Sequence, residues 1–137
     1  MKYCLDTDVL SATIKPNPPL HVMRRLAHVP RERQHTTAIN LGELLYGAAK
    51  RGSPELAASI REVIVTGVRI LPFDRAAAEV YGSLRARLER EGRRLEEPDL
   101  RIAAIAVSRD LTLVTGNTRH FERVPGLRVE NWLAPAT

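Results

Sequence analysis

Short strand-like runs alternate with helix-spaced segments through the whole of this chain, and few architectures accept that order. The runs cover residues 2–6, 35–39, 68–73, 111–115 and 127–129, lengths that suit strands rather than helices. Between them, apolar residues recur at helical spacing over residues 8–14, 20–27, 40–51, 54–65, 75–92 and 99–108. Asn17, Pro18 and Pro19 break the first helical segment from the second, and Gly52, Ser53 and Pro54 part the third from the fourth. Asp74 is placed to cap the long fifth segment, which turns Ala78, Val80, Tyr81, Leu84 and Leu88 inward and stops near Gly92. Strands joined through helices need right-handed crossovers. The expected fold is therefore α/β: one domain over residues 1–137, with a mainly parallel sheet flanked by helices on both faces. No internal repeat, low-complexity tract or linker interrupts it.

Composition narrows the setting. Hydrophobic residues make up 44% of the chain but aromatics only 4%, so the core must be aliphatic. The single cysteine, Cys4, stands in an apolar run and reads as a buried small hydrophobe. Asp6 and Asp8 interrupt the opening residues where a secretory leader would need an apolar stretch, and no segment has membrane-spanning length. A reducing cytoplasm, with no membrane, is the expected location. The net charge of +5 comes mostly from arginine. That excess reads either as a footprint for a polyanion or as the codon bias of a GC-rich genome.

In parallel sheets, functional groups gather outside the carboxyl ends of the strands. Asp6 closes the first run, and Thr115, Gly116 and Asn117 close the fourth. Glu43 lies early in the helix after the second run, and Asp99 lies in the first turn of the helix before the fourth. Carboxylates brought together at that edge repel one another unless a hard cation such as Mg²⁺ or Mn²⁺ joins them. Each residue has a second reading. Asp6 suits a turn, Glu43 suits a capping box with Asn40, and Asp99 suits a helix dipole. Asp8 reads as a helix cap toward Ser11 or as an outer support of the acids. His21, His28, His35 and His120 lack metal-ligand spacing, and there is no glycine-rich phosphate loop.

Four ordered stretches carry a family signature. Tyr3-Cys4-Leu5-Asp6-Thr7-Asp8-Val9-Leu10-Ser11 resembles the first motif of PIN-domain ribonucleases, and Asn40-Leu41-Gly42-Glu43-Leu44-Leu45-Tyr46-Gly47 the second. Pro98-Asp99-Leu100-Arg101-Ile102-Ala103-Ala104 resembles the third, and Leu113-Val114-Thr115-Gly116-Asn117-Thr118-Arg119-His120-Phe121 the last. The pattern is most similar to VapC-type toxins of bacterial toxin–antitoxin pairs. The resemblance implies a Mg²⁺- or Mn²⁺-dependent endoribonuclease, usually a homodimer, held in check by a small cognate antitoxin. Asp6, Glu43 and Asp99 fall on the family's acidic triad as metal ligands. Asn117 falls on a fourth catalytic position that is often Asp, so it offers a carbonyl but no charge. Thr115 is placed to orient a carboxylate, and Asp8 to support the site from outside. Leu95-Glu96-Glu97 replaces a glycine-containing turn, with both acids expected to face solvent.

Hydrolysis of this kind needs no ribose 2′-hydroxyl and leaves a 3′-hydroxyl and a 5′-phosphate. Arg119 and His120 are candidates to grip the RNA backbone, and residues 20–65 to meet the antitoxin and a second copy. Two other functions fit less of the pattern. A non-catalytic PIN-fold module would bind RNA or protein without cutting. A receiver-type phosphoacceptor would use Asp74 after the third strand, but it needs a late lysine and none follows Lys50.

Overall fold

The computed structural model describes residues 1–134. Five strands, β1 (Tyr3–Leu5), β2 (Gln34–Thr37), β3 (Arg69–Leu71), β4 (Thr112–Val114) and β5 (Arg128–Glu130), form one sheet in the order β3-β2-β1-β4-β5. Every pairing is parallel. Adjacent residues of a strand face opposite ways, and both faces are covered. Cys4 and Leu113 pack into one apolar cluster, whereas their neighbours Leu5 and Val114 pack into another.

The second cluster is closed by α1 (Thr7–Thr13), α2 (Leu20–Ala27), α3 (Ala38–Lys50) and a π-helical turn, Ile60–Val65, that continues α4 (Pro54–Ser59). The first is closed by α5 (Arg75–Arg90), α6 (Glu97–Ser108) and α7 (Thr118–Phe121). Six residues of α6, Leu100 and Ile102 through Ala106, are buried. Burying each large aliphatic side chain there contributes about 2 kcal/mol, which fixes the helix that carries Asp99. Among the described residues no helix is long and apolar enough to cross a membrane.

The five strands, the parallel sheet and the helices up to α6 match the expectation, α7 is an addition to it, and three local features differ from it. Helix α3 opens at Ala38, not Asn40, because the Thr37 hydroxyl takes the capping role and accepts the Asn40 N–H at 3.1 Å. Glu43 therefore lies beyond the first turn and belongs to no capping box. In α5 the buried alanine is Ala77 rather than Ala78, a shift of one residue in the inward face. Glu97 is not left to solvent: its carboxylate accepts from the Tyr81 hydroxyl at 2.7 Å and pairs with Arg85 at 3.1 Å and Arg101 at 3.2 Å. The Tyr81 hydrogen bond, aided by both arginines, holds that carboxyl below its usual range. Asp74 does cap α5, accepting from the Ala77 N–H at 3.0 Å. Gly92, at φ +69°, then lets the Arg93 N–H close that helix on the Leu88 carbonyl.

The chain runs from β1 outward through β2 to β3, then returns to the other side of β1 for β4 and β5. The switch point thus lies between β1 and β4. Leu5 pairs with Val114, so Asp6 and Thr115 leave the sheet side by side.

Candidate active site

Asp6 is the best-held residue at the switch point. It starts α1 without capping it, and its side chain turns the other way. Oδ1 accepts from the Asn40 side-chain amide at 2.9 Å, and Oδ2 accepts from the Thr115 hydroxyl at 2.7 Å. Only 8% of Asp6 is exposed, and Asn40 and Thr115 are fully buried. Charge-assisted hydrogen bonds in a shielded place are worth more than exposed ones, so this carboxylate has one preferred orientation.

Asn40 extends the network. Its amide also donates to the Thr7 hydroxyl at 2.9 Å, and its carbonyl accepts from Thr37 at 2.7 Å. Thr7 then donates to Glu43 Oε1 at 2.7 Å. One buried amide therefore links the carboxylate after β1 to the carboxylate on α3. Among the described residues no buried side-chain N or O atom lacks a partner.

Asp99 approaches from the N-terminal turn of α6, with its side chain 25% exposed and His120 Nε2 of α7 at 3.4 Å from Oδ2. Burial, then the charges of Asp6, Glu43 and Glu96, push its pKa up to about 6 against an opposing influence from His120. The N-terminus of α6 favours the ionised form, yet like charge and burial win. Among the like charges that Asp99 feels, those of Asp6 and Glu43 come from the switch point and from α3.

The remaining expected residues divide. Asp8 does not cap α1 toward Ser11. Its carboxylate accepts from the Val9 N–H at 2.8 Å and the Gly116 N–H at 2.9 Å, pinning the loop after β4. Partial burial and the Asp6 charge raise its pKa despite those bonds. A Cβ at Gly116 would fall 2.9 Å from both Asp8 Oδ2 and Leu133 Cδ1, so any larger residue would push these side-chain ends aside and disturb the Asp8 contact. Asn117 is exposed. Its backbone N–H donates to the Thr115 hydroxyl at 3.1 Å, and its side chain makes no hydrogen bond among the described residues. His120 meets Asp99 rather than the surface, while Arg119 points outward on α7.

The donor set suits a hard divalent cation. It consists of carboxylates and hydroxyls, with no thiol and with the His120 imidazole beside Asp99. Among the described residues no three His, Cys, Asp or Glu side chains are gathered tightly enough to chelate an ion as they stand. Each acid is held by its own partner: Asp6 by Asn40 and Thr115, Glu43 by Thr7, and Asp99 by His120. Mg²⁺ commonly takes only one or two carboxylates and keeps several waters, so this looser grouping still fits it.

A parallel five-stranded α/β domain with oxygen donors at its switch point is the class that fold and site define. The chain belongs to the PIN-domain family, whose model matches residues 3–127. It is 42% identical over 132 residues to a tRNA(fMet)-specific endonuclease VapC of Shigella flexneri, covering 96% of this chain and 98% of that protein. A crystal structure of DNA-bound VapBC from Salmonella typhimurium is similar, with TM-score 0.87, 39% identity and coverage of 96% and 98%. So is VapBC-5 from Mycobacterium tuberculosis, described as a member of the VapBC family of toxin–antitoxin systems. Its TM-score is 0.67 and its identity 30%, with coverage of 95% of this chain and 96% of that one.

Proposed function

We propose that this protein is an endoribonuclease dependent on Mg²⁺ or Mn²⁺ and acts in the cytoplasm as the toxin of a toxin–antitoxin pair. The observation that carries the reading is the clasping of Asp6 by Asn40 and Thr115 at the β1–β4 switch point, with Glu43 tied to it through Thr7. The full-length similarity to a named endonuclease supports the same conclusion.

In this reading Asp6, Glu43 and Asp99 hold the cation, and Asn117 offers a neutral carbonyl beside them. When bound, such a cation supplies Lewis acidity toward water and toward charge building on a phosphodiester. Thr115 and Asn40 aim Asp6, and Thr7 aims Glu43. Asp8 and Gly116 keep the Thr115–Asn117 loop against α1. No ribose hydroxyl takes part, so the products carry a 3′-hydroxyl and a 5′-phosphate.

The antitoxin and homodimer surfaces are assigned to residues 20–65. Large exposed apolar side chains support this, since Leu20, Met23, Tyr46, Val63 and Val65 all lie there, with only Met1 and Phe73 elsewhere among the described residues. Beside Glu43 and Thr7 runs a cleft of about 440 Å³ floored by Ile14, Leu44, Leu56 and Ile60. An apolar antitoxin helix filling it would bring a cationic side chain to the acids. The exposed, uncharged Asn117 favours the second reading, a PIN-fold module that binds RNA or protein without cutting. Purified protein with Mn²⁺ separates the two. Wild type cuts a tRNA transcript to ends bearing 5′-phosphate, and Asp6→Asn does not. Equal cutting by both, or 2′,3′-cyclic phosphate ends, contradicts the proposal.

A further inference from the structure

An acidic site repels the polyphosphate it is meant to cut, so cations elsewhere on the chain must bring the strand in. Seven of the eighteen arginines are already committed. Arg25, Arg75, Arg85, Arg87, Arg101, Arg109 and Arg128 all pair with carboxylates. Other unpaired arginines are scattered over the surface. In one place three of them share a hollow: Arg93 from the loop after α5, and Arg119 and Arg123 from α7 and the turn behind it. None of the three forms an ion pair among the described residues.

The hollow is shallow, about 470 Å³, and its other lining residues are Gly92 and the single acid Glu122. It is partly built rather than accidental. Arg123 Nη1 donates to the Arg94 carbonyl at 3.3 Å, which fixes that guanidinium over the loop carrying Arg93. The positive φ of Gly92 folds the same loop back from α5. The hollow shares α7 with the residue that meets Asp99. Arg119 is the immediate neighbour of His120, which touches Asp99 at 3.4 Å, and α7 begins at the Asn117 loop.

We propose that Arg93, Arg119 and Arg123 form a phosphate-binding subsite that seats the RNA backbone beside the scissile bond. Planar guanidinium forks match phosphate oxygens, and three around one hollow give a net positive site despite Glu122. The inference rests on the endoribonuclease reading and adds to it the surface along which the strand enters. Arg119 was a candidate from sequence; Arg93 and Arg123 join it only through the fold.

The test is a salt titration of binding with the full chain in EDTA, using fluorescein-labelled initiator tRNA and, in parallel, a DNA duplex of similar length. Arg93→Gln, Arg119→Gln and Arg123→Gln each weaken tRNA binding about 3- to 10-fold and flatten the slope of log affinity against log salt by about 1. Arg75→Gln, whose cation already faces Glu79, leaves both unchanged. With Mn²⁺ present, the three variants raise KM for cutting while kcat holds. Circular dichroism confirms that each is folded. Unchanged affinity and slope in all three variants, alongside normal cutting by wild type, overturn the subsite and leave the nuclease reading standing. Dependence on the three arginines in a protein that cuts no RNA preserves the subsite and removes the nuclease. Arginine dependence for the duplex but not for tRNA overturns the assignment to RNA.

Discussion

Asp99 carries a measurable cost of assembling the site. Its pKa of about 6 lies above the value near 4 that a carboxyl has in an unfolded chain, so the native state binds an extra proton between those limits. Stability of the cation-free protein therefore falls as pH rises through that window, and the deficit is fully present above it. Asp99→Asn removes the deficit. In EDTA at pH 7.5 it raises stability by about 1–2 kcal/mol and flattens the pH dependence between 4 and 6, read by urea denaturation. A destabilised variant would show that Asp99 is not crowded by like charge. Thr7 gives a second prediction. Thr7→Val keeps the fold but frees Glu43, lowering cleavage about 10- to 100-fold, as loss of a group that orients a metal ligand does. Unchanged turnover would remove Thr7 from the site. Asp6 and Thr115 were legible in the sequence because strand ends are predictable. Thr7 and Asn40 were not, because their bonds span 33 to 36 residues and no local pattern encodes them.

At the scale of elements, the strands were legible as short runs and the main helices as longer segments parted by Pro, Gly and Asn breaks. The start of α3 was misplaced for a physical reason: Thr37 and Asn40 are both good caps, three residues apart, and either could open the helix. Burial of Asn40 decides it, since its amide is needed by Asp6 and Thr7. The inward face of α5 is likewise ambiguous where Ala76, Ala77 and Ala78 follow one another. Helix α6 is the rigid mount of Asp99, and Ile105 is fully buried in it. Ile105→Ala removes a large aliphatic group from a packed face and costs about 2–5 kcal/mol of stability, read by chemical denaturation. If the loss were under about 0.5 kcal/mol, the size of a typical surface substitution, α6 would not be anchored as described.

For the whole molecule, most charged helix faces are laced with ion pairs, and one cluster of arginines stands outside them. Asp6 lies at the β1–β4 switch point with Glu43 linked to it through Asn40 and Thr7, and three unpaired arginines share a hollow at α7. The sequence implied the first through its ordered motifs, whereas its +5 net charge gave no location for the second. The proposed function requires the three acids to act as one site for one cation. Calorimetric titration of Mn²⁺ into wild type, Asp6→Asn, Glu43→Gln and Asp99→Asn tests this directly. One site in wild type, weakened in each of the three variants, is the expected result. Mn²⁺ affinity that survives all three replacements would place the ion elsewhere and contradict the account.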